Sequence, residues 1–434
     1  MIIFNITRSC TLVALLFASA SFAQQPIPAQ PQAKPILLLN GTAHLGDGRV
    51  IANSAIGFEN GRLSLVADAT TIRLDRSKFE VMDCSGKQIY PGFIAPNTVL
   101  GLVEVEAIRA TRDNAETGSL NPNVRSIISY NTDSKVTPTV RCNGILTAQV
   151  VPQGGLLSGL SSVVKLDAWN WEDAAYQIDD GVHLNWPNML IAAGTPEAED
   201  AQRQAQDKDI QKLKALFSEA KAYAQSKPSE TNLRLQALSG LFAQSANKQR
   251  LFVHCNDARE IVSAVKFADE FALHMVLVGG ADAWKVADLL KNNNIPVILG
   301  RLHALPMRED EQTDQFYQLP ARLEQAGVQY CLSVDGFWQV RNLPFMAGTA
   351  AAFGLSKEQA LASITSKAAK ILGLDEHLGT LEVDKDATLF VSTGDALDMR
   401  GNQLTAAFIQ GRKIELNNIQ TELNQRYRNK YGLK

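Results

Sequence analysis

The sequence predicts an α/β protein in which a parallel sheet with packed helices is joined to a small β-sandwich drawn from both chain ends. Three patterns carry this. Short β-like runs broken by turn residues fill 36–90, strand and helix patterns alternate four times between Leu251 and Val334, and short β runs return after Gly373. Such alternation calls for right-handed βαβ units, and continuous apolar strands suit a sheet covered on both faces. A closed barrel and an open doubly wound sheet both satisfy it. No Gly-x-Gly-x-x-Gly follows a strand, which counts against a dinucleotide-binding sheet.

From the start of the chain, Arg8 precedes an apolar run, Thr11 to Phe22, that ends in Ser21-Phe22-Ala23 before Gln24. This is the pattern of a signal peptide cleaved near Ala23. Residues 1–23 are therefore set aside from the fold, and the protein is expected to be exported, to the periplasm or beyond. Residues 24–35, rich in Gln and Pro, read as a linker. Over 36–90, Asn40-Gly41 and Asn60-Gly61 punctuate the runs Ile36 to Leu39, Ala55 to Phe58 and Leu63 to Val66. Asn-Gly between apolar runs signals a tight hairpin because both residues tolerate positive φ.

Residues 195–250, rich in Ala, Gln, Lys and Glu, favour a helical pair outside the sheet, broken at Ser226 to Glu230 by Pro228. Strands are then expected at Leu251 to Cys255, Met275 to Val278, Ile295 to Leu299 and Val328 to Val334. Helices between them fall at Asp257 to Ala272, Ala281 to Asn293 and Leu319 to Gln325. In the first of these, Ile261, Ala264, Val265 and Ala268 share one face. Ala387 to Ser392 and Ala406 to Gln410 return to β, and a polar helical tail follows.

Without Arg8, 41 of the 42 basic residues face 45 acidic ones and no basic block stands out, so nucleic acid and anionic membrane surfaces are poor partners. No stretch after the leader reaches the ~18 apolar residues of a membrane span. Four cysteines remain, Cys84, Cys142, Cys255 and Cys331, too few for a disulfide scaffold; one bridge or four thiols stay open.

Two passages add a resemblance. Lys87-Gln88-Ile89-Tyr90-Pro91-Gly92-Phe93-Ile94 is similar to the approach to the first barrel strand in the amidohydrolase superfamily, notably its imidazolonepropionase-like metal-dependent hydrolases. Arg341-Asn342-Leu343-Pro344, Thr365 through Leu374, Leu378-Gly379-Thr380-Leu381-Glu382 and Asp386-Ala387 resemble that family's closing helix and its return to the sandwich. The resemblance covers about residues 36 to 415. It implies a (β/α)8 TIM-type barrel over 91–380, a β-sandwich made of 36–90 and 381–415, and a tail at 416–434.

Amidohydrolases use one or two metal ions to make hydroxide near neutral pH, while a carboxylate moves protons between water and the leaving amine. The resemblance implies ligands as His-x-His on the first strand, a lysine or glutamate on the fourth, histidines on the fifth and sixth and an aspartate on the eighth. A spacing of two turns both first-strand side chains to the same face. Here Asn97 and Val99 stand at those positions. Valine cannot ligate, and asparagine offers only a neutral carbonyl oxygen.

Val253-His254-Cys255-Asn256 matches the fifth strand, so His254 is expected to ligate metal or touch substrate. Met275 to Gly280 carries no histidine at the end of the sixth, and His274 sits at its wrong end. Tyr330 to Gly336 places Asp335 at the eighth-strand aspartate, as metal ligand and catalytic base, although an apolar strand ending in Asp-Gly is also an ordinary turn. Lys165 is a loose match to the bridging lysine. His183 and His303, near Trp186-Pro187 and Leu305-Pro306, are expected over the barrel mouth as substrate contacts together with Asn97; Trp169 and Trp171 are further candidates there.

Loss of two imidazoles should weaken metal binding by orders of magnitude. The resemblance then implies one zinc-like divalent ion or none, and no binuclear centre. The expected function is hydrolysis of carbon–nitrogen bonds other than peptide bonds, in cyclic or small-molecule amides. Two alternatives follow from the altered ligands: an inactive homologue that holds a small molecule, and a subunit that forms a homodimer or a heteromer with a metal-competent relative.

Overall fold

The computed structural model describes residues 27–226, 230–244, 248–306, 308–309 and 311–433. The expected signal peptide and the Pro228 break lie outside them. Five strands come first: β1 (Ile36–His44), β2 (Val50–Glu59), β3 (Arg62–Asp68), β4 (Glu80–Asp83) and β5 (Gln88–Pro91). Eight follow: β6 (Phe93–Thr98), β7 (Ile145–Val150), β8 (Leu157–Lys165), β9 (Ala175–Asn185), β10 (Arg250–Cys255), β11 (Met275–Gly279), β12 (Val297–Leu299) and β13 (Tyr330–Leu332). After the last barrel helices come β14 (Leu389–Ser392), β15 (Leu404–Ile409) and β16 (Arg412–Lys413).

The chain ends form one sheet in the order β16-β15-β14-β5-β1-β2-β3, with β4 paired to β1. Its own core joins Ile36, Leu38, Phe58 and Ile89 to Leu389 and Phe408, with Phe58 edge-on to Phe408 at 5.0 Å. The two Asn-Gly pairs behave differently. Asn60-Gly61, with φ of 50° and 80°, makes the tight turn between β2 and β3. Asn40-Gly41 does not turn the chain: β1 runs through it, and the β1–β2 register shifts there. Asn40 has φ 67°, and a β-bulge uses a left-handed residue as readily as a hairpin does.

The second sheet runs β6-β7-β8-β9-β10-β11-β12-β13 and curls into a barrel with helices outside. Its edges do not pair directly. Ser363 and Ile364 fill the gap, the first accepting from the backbone N–H of Leu332 and the second from that of Ile94. From β9 to β13 every pairing is parallel, as the alternation predicts. The third barrel strand departs from the TIM pattern: β8 is antiparallel to both β7 and β9.

The helix Ala258–Phe271 shows how sequence sets the outer layer. Asp257 caps it in a capping box with Glu260, Ile261, Ala264, Val265 and Ala268 are buried, and Ala272 ends it at φ 53°. The expected helical pair is present as Pro196–Gln225 and Leu233–Ser239, and the tail helix as Ile419–Tyr431. All four cysteines in the described chain are free thiols. Among the described residues no helix is long and apolar enough to cross a membrane.

Candidate functional site at the barrel mouth

At the C-terminal ends of the strands lies a cavity of about 750 Å³ whose lining includes Asn97, Asn185, His254, Asn256, Arg301 and Asp335. In a barrel of parallel strands this end collects the loops and the strand-terminal side chains, which is where such folds do chemistry. Three of the residues singled out from sequence, Asn97, His254 and Asp335, therefore meet in one cavity.

His254 occupies the inward-facing register of β10 with Phe252. Its Nε2 lies 2.8 Å from Nδ1 of His183, which stacks on Phe252 at 4.6 Å with the rings 9° apart. Burial holds the His254 imidazole down to about 4 and, with the neighbouring ring, drives His183 well below the usual histidine range. Both rings are thus neutral at pH 7, and one donates to the other. Nε2 of His183 is buried without a partner among the described residues. Gly181 makes the stack fit, since a Cβ there would come 2.4 Å from the Phe252 ring.

Asn97 holds φ 53°, and its N–H donates to Oε1 of Gln149 at 3.1 Å. Gln149 Nε2 in turn donates to Asp180 at 2.8 Å, and Ser161 Oγ donates to the other carboxylate oxygen at 2.6 Å. Burial raises Asp180 to about 6 even though both donors and the Arg250 charge act the other way. A buried acid in the barrel wall is thereby linked, bond by bond, to the backbone of the first-strand residue at the mouth. Asp335 is exposed where β13 ends, and Gly336 at φ 95° turns the chain there.

Several expectations need correction. His183 is fully buried and sits behind His254, not over the mouth, because its strand carries it below the rim. His303 is not among the cavity-lining residues; its Nε2 meets Thr349 Oγ1 at 2.8 Å and its ring stands edge-on to Tyr317. Lys165 ends an antiparallel strand, so it lies at the opposite end of the barrel, within 3.3 Å of Gln410. Trp169 and Trp171 follow β8 to that same end and do not line the mouth. Arg301, Asn185 and Asn256 do line it; Asn256 stands in the matched fifth-strand run, but Arg301 and Asn185 carry no motif.

Val99 is buried and inert, Asn97 supplies a neutral amide, and His254 already spends one nitrogen on His183. At the end of β11, Gly279 has φ 98°, and a Cβ there would fall 2.6 Å from Oδ1 of Asn256, so a side chain there is strained. Among the described residues no group of three or more His, Cys, Asp or Glu side chains is placed to hold a metal.

Comparison with known proteins agrees with this fold. The amidohydrolase family model matches residues 158–414. An amidohydrolase from Thermotoga maritima MSB8 superposes with a TM-score of 0.76 at 23% identity, over 88% of this chain and 99% of that one. Molinate hydrolase gives a TM-score of 0.54 at 14% identity, over 89% and 95% of the two chains. At such identities the likeness shows the fold alone. Among curated proteins, the amidohydrolase tasK of Hapsidospora irregularis is 33% identical over 118 residues, 24% of this chain and only 12% of that relative's length.

Proposed function

The chain belongs to the amidohydrolase family, and from that premise we propose that it hydrolyses a carbon–nitrogen bond other than a peptide bond in a small molecule such as a cyclic amide. The observation that carries this reading is the convergence of Asp335, His254 and Asn97 on one cavity at the barrel mouth. Asp335 takes a proton from water as the water oxygen bonds to the carbonyl carbon. The carbon–nitrogen bond then breaks, and the same carboxyl returns the proton to the leaving nitrogen. Neutral His254, bound through Nε2 to His183, has Nδ1 left to orient the substrate, and the Arg301 guanidinium supplies positive charge for the developing oxyanion. The reaction takes place outside the cytoplasm, after removal of residues 1–23.

The test is a panel of cyclic and small acyl amides, assayed on the chain from residue 24 with zinc and manganese supplied and again after chelation. Turnover that survives chelation and falls about 100-fold or more in Asp335→Asn is the expected result. Absence of turnover under both conditions would sink the proposal.

A second reading, favoured by Asn97 and Val99 at the two first-strand ligand positions, is a non-hydrolytic homologue that binds a small molecule or pairs with a metal-competent relative. Co-purification with a related chain carrying an intact His-x-His would support it; a lone monomer with hydrolytic activity would exclude it.

A further inference from the structure

A second cavity, of about 980 Å³, lies at the other end of the barrel and is lined by Arg125, Asp179, Lys248, Arg250, His274 and Gly373 among others. Arg250 opens β10 and His274 immediately precedes β11, so this space faces the N-terminal ends of the strands. It has no part in the mouth chemistry.

Its charges are unevenly matched. Arg125 is held by Asp179, Nε to carboxylate at 2.7 and 3.0 Å. Asp180, buried in the wall, has its oxygens taken by Gln149 and Ser161. Arg250 is different: half-buried, it has no hydrogen bond or ion pair among the described residues and feels Asp180 and Asp375 only at a distance. Lys248 is anchored to the carbonyl of Ala272, and its other two N–H groups have no partner among the described residues. Three cations thus face two carboxylates on this lining, and one of the carboxylates is already fully paired.

The fold also keeps space for the guanidinium. Gly373 ends the helix Ser366–Leu372 at φ 68°, and a Cβ there would fall 2.1 Å from Nη2 of Arg250. A half-buried guanidinium with no acceptor loses hydration without replacement, and a planar fork of donors suits oxygen acceptors of a carboxylate or phosphate.

We propose that this lower cavity is an oxyanion-binding site in which Arg250 and Lys248 hold a phosphate or carboxylate group of a small ligand, with the His274 ring on its rim. The proposal is independent of the hydrolytic reading, because none of these residues lines the mouth.

The test is calorimetric titration of the full mature chain with inorganic phosphate at constant ionic strength, with acetate as competitor. Saturable binding of one phosphate per chain is expected, weakened about tenfold or more by Arg250→Gln, the loss expected for one charge-assisted hydrogen bond. Lys248→Gln should weaken it severalfold, and Arg301→Gln, at the mouth, should leave it unchanged. Competition by acetate supports a carboxylate ligand, and its failure to compete supports a phosphate. No saturable binding up to about 10 mM, or loss only in Arg301→Gln, overturns the proposal. If Arg250→Gln does not fold, an unchanged affinity in Lys248→Gln has the same force.

Discussion

Replacing Asp180 by Asn should change how stability depends on pH. In the folded chain this carboxyl is fully buried and raised from 3.8 to about 6. The folded state therefore binds its proton more tightly than the unfolded chain does. Below the unfolded value both states are protonated and the group adds no pH dependence. As pH rises from about 4 to about 6 the unfolded chain releases the proton first, and folding loses stability until both states are ionised. A rise of about two pH units, worth roughly 1.4 kcal/mol for each, sets the loss at about 3 kcal/mol between pH 4 and pH 7. An amide in the same place keeps an acceptor for Gln149 Nε2 and can donate to Ser161 Oγ, so Asp180→Asn should flatten this part of the curve. Urea unfolding of both proteins at half-unit steps from pH 4.5 to 7.5 reads it, and the difference between them cancels the histidines titrating in the same range. If the two curves run parallel, burial does not govern this carboxyl and the reasoning fails.

Other outcomes are as concrete. His44 ties β1 to the helix Lys357–Ala362 through Glu358 at 2.7 Å and to β5 through Gln88 at 2.9 Å; burial lowers its pKa, but these hydrogen bonds and the Glu358 and Asp395 charges together outweigh burial and leave it raised. Its contribution is thus fully present below pH 6.5 and lost as pH rises through the folded value, so His44→Gln should destabilise by about 1 kcal/mol more at pH 6 than at pH 9 in thermal unfolding. Gly279→His, which puts an imidazole at the end of β11, should cost about 1–3 kcal/mol through its φ of 98° and the Asn256 contact, and elemental analysis should find no gain in zinc. Phe252→Ala removes the ring under His183 and should destabilise by about 3–5 kcal/mol; a change below 1 kcal/mol would mean the barrel interior closes over the gap.

What sequence could show depended on whether the physics was local. Asp257 and Glu260 announce their helix because a cap is settled within four residues. Asn60-Gly61 and Asn40-Gly41 look alike, yet one turns the chain and the other bulges, because the difference lies in which strand pairs alongside. Likewise Val163-Val164-Lys165-Leu166-Asp167 suggests a strand end without revealing the strand's direction, and that hidden direction is what misplaced Lys165. His254 and Asp335 could be placed at the mouth because strand ends are legible. The depth of His183 could not, since it depends on where β9 stands against β10. Arg301 follows a strand only three residues long, and nothing local marks it as facing a cavity.

The reversed third strand has a consequence for how the barrel is made. Parallel neighbours must wait for a crossover to close a long loop, but β7, β8 and β9 form a meander in which Val150 pairs with Ser162 and Val164 with Ala175. Pairings this close in sequence cost the least chain entropy to form. The meander is therefore the natural starting point for the barrel, on which the parallel strands from β10 onward are laid down, and its amides should gain protection before those of the other barrel strands in pulse-labelled hydrogen exchange.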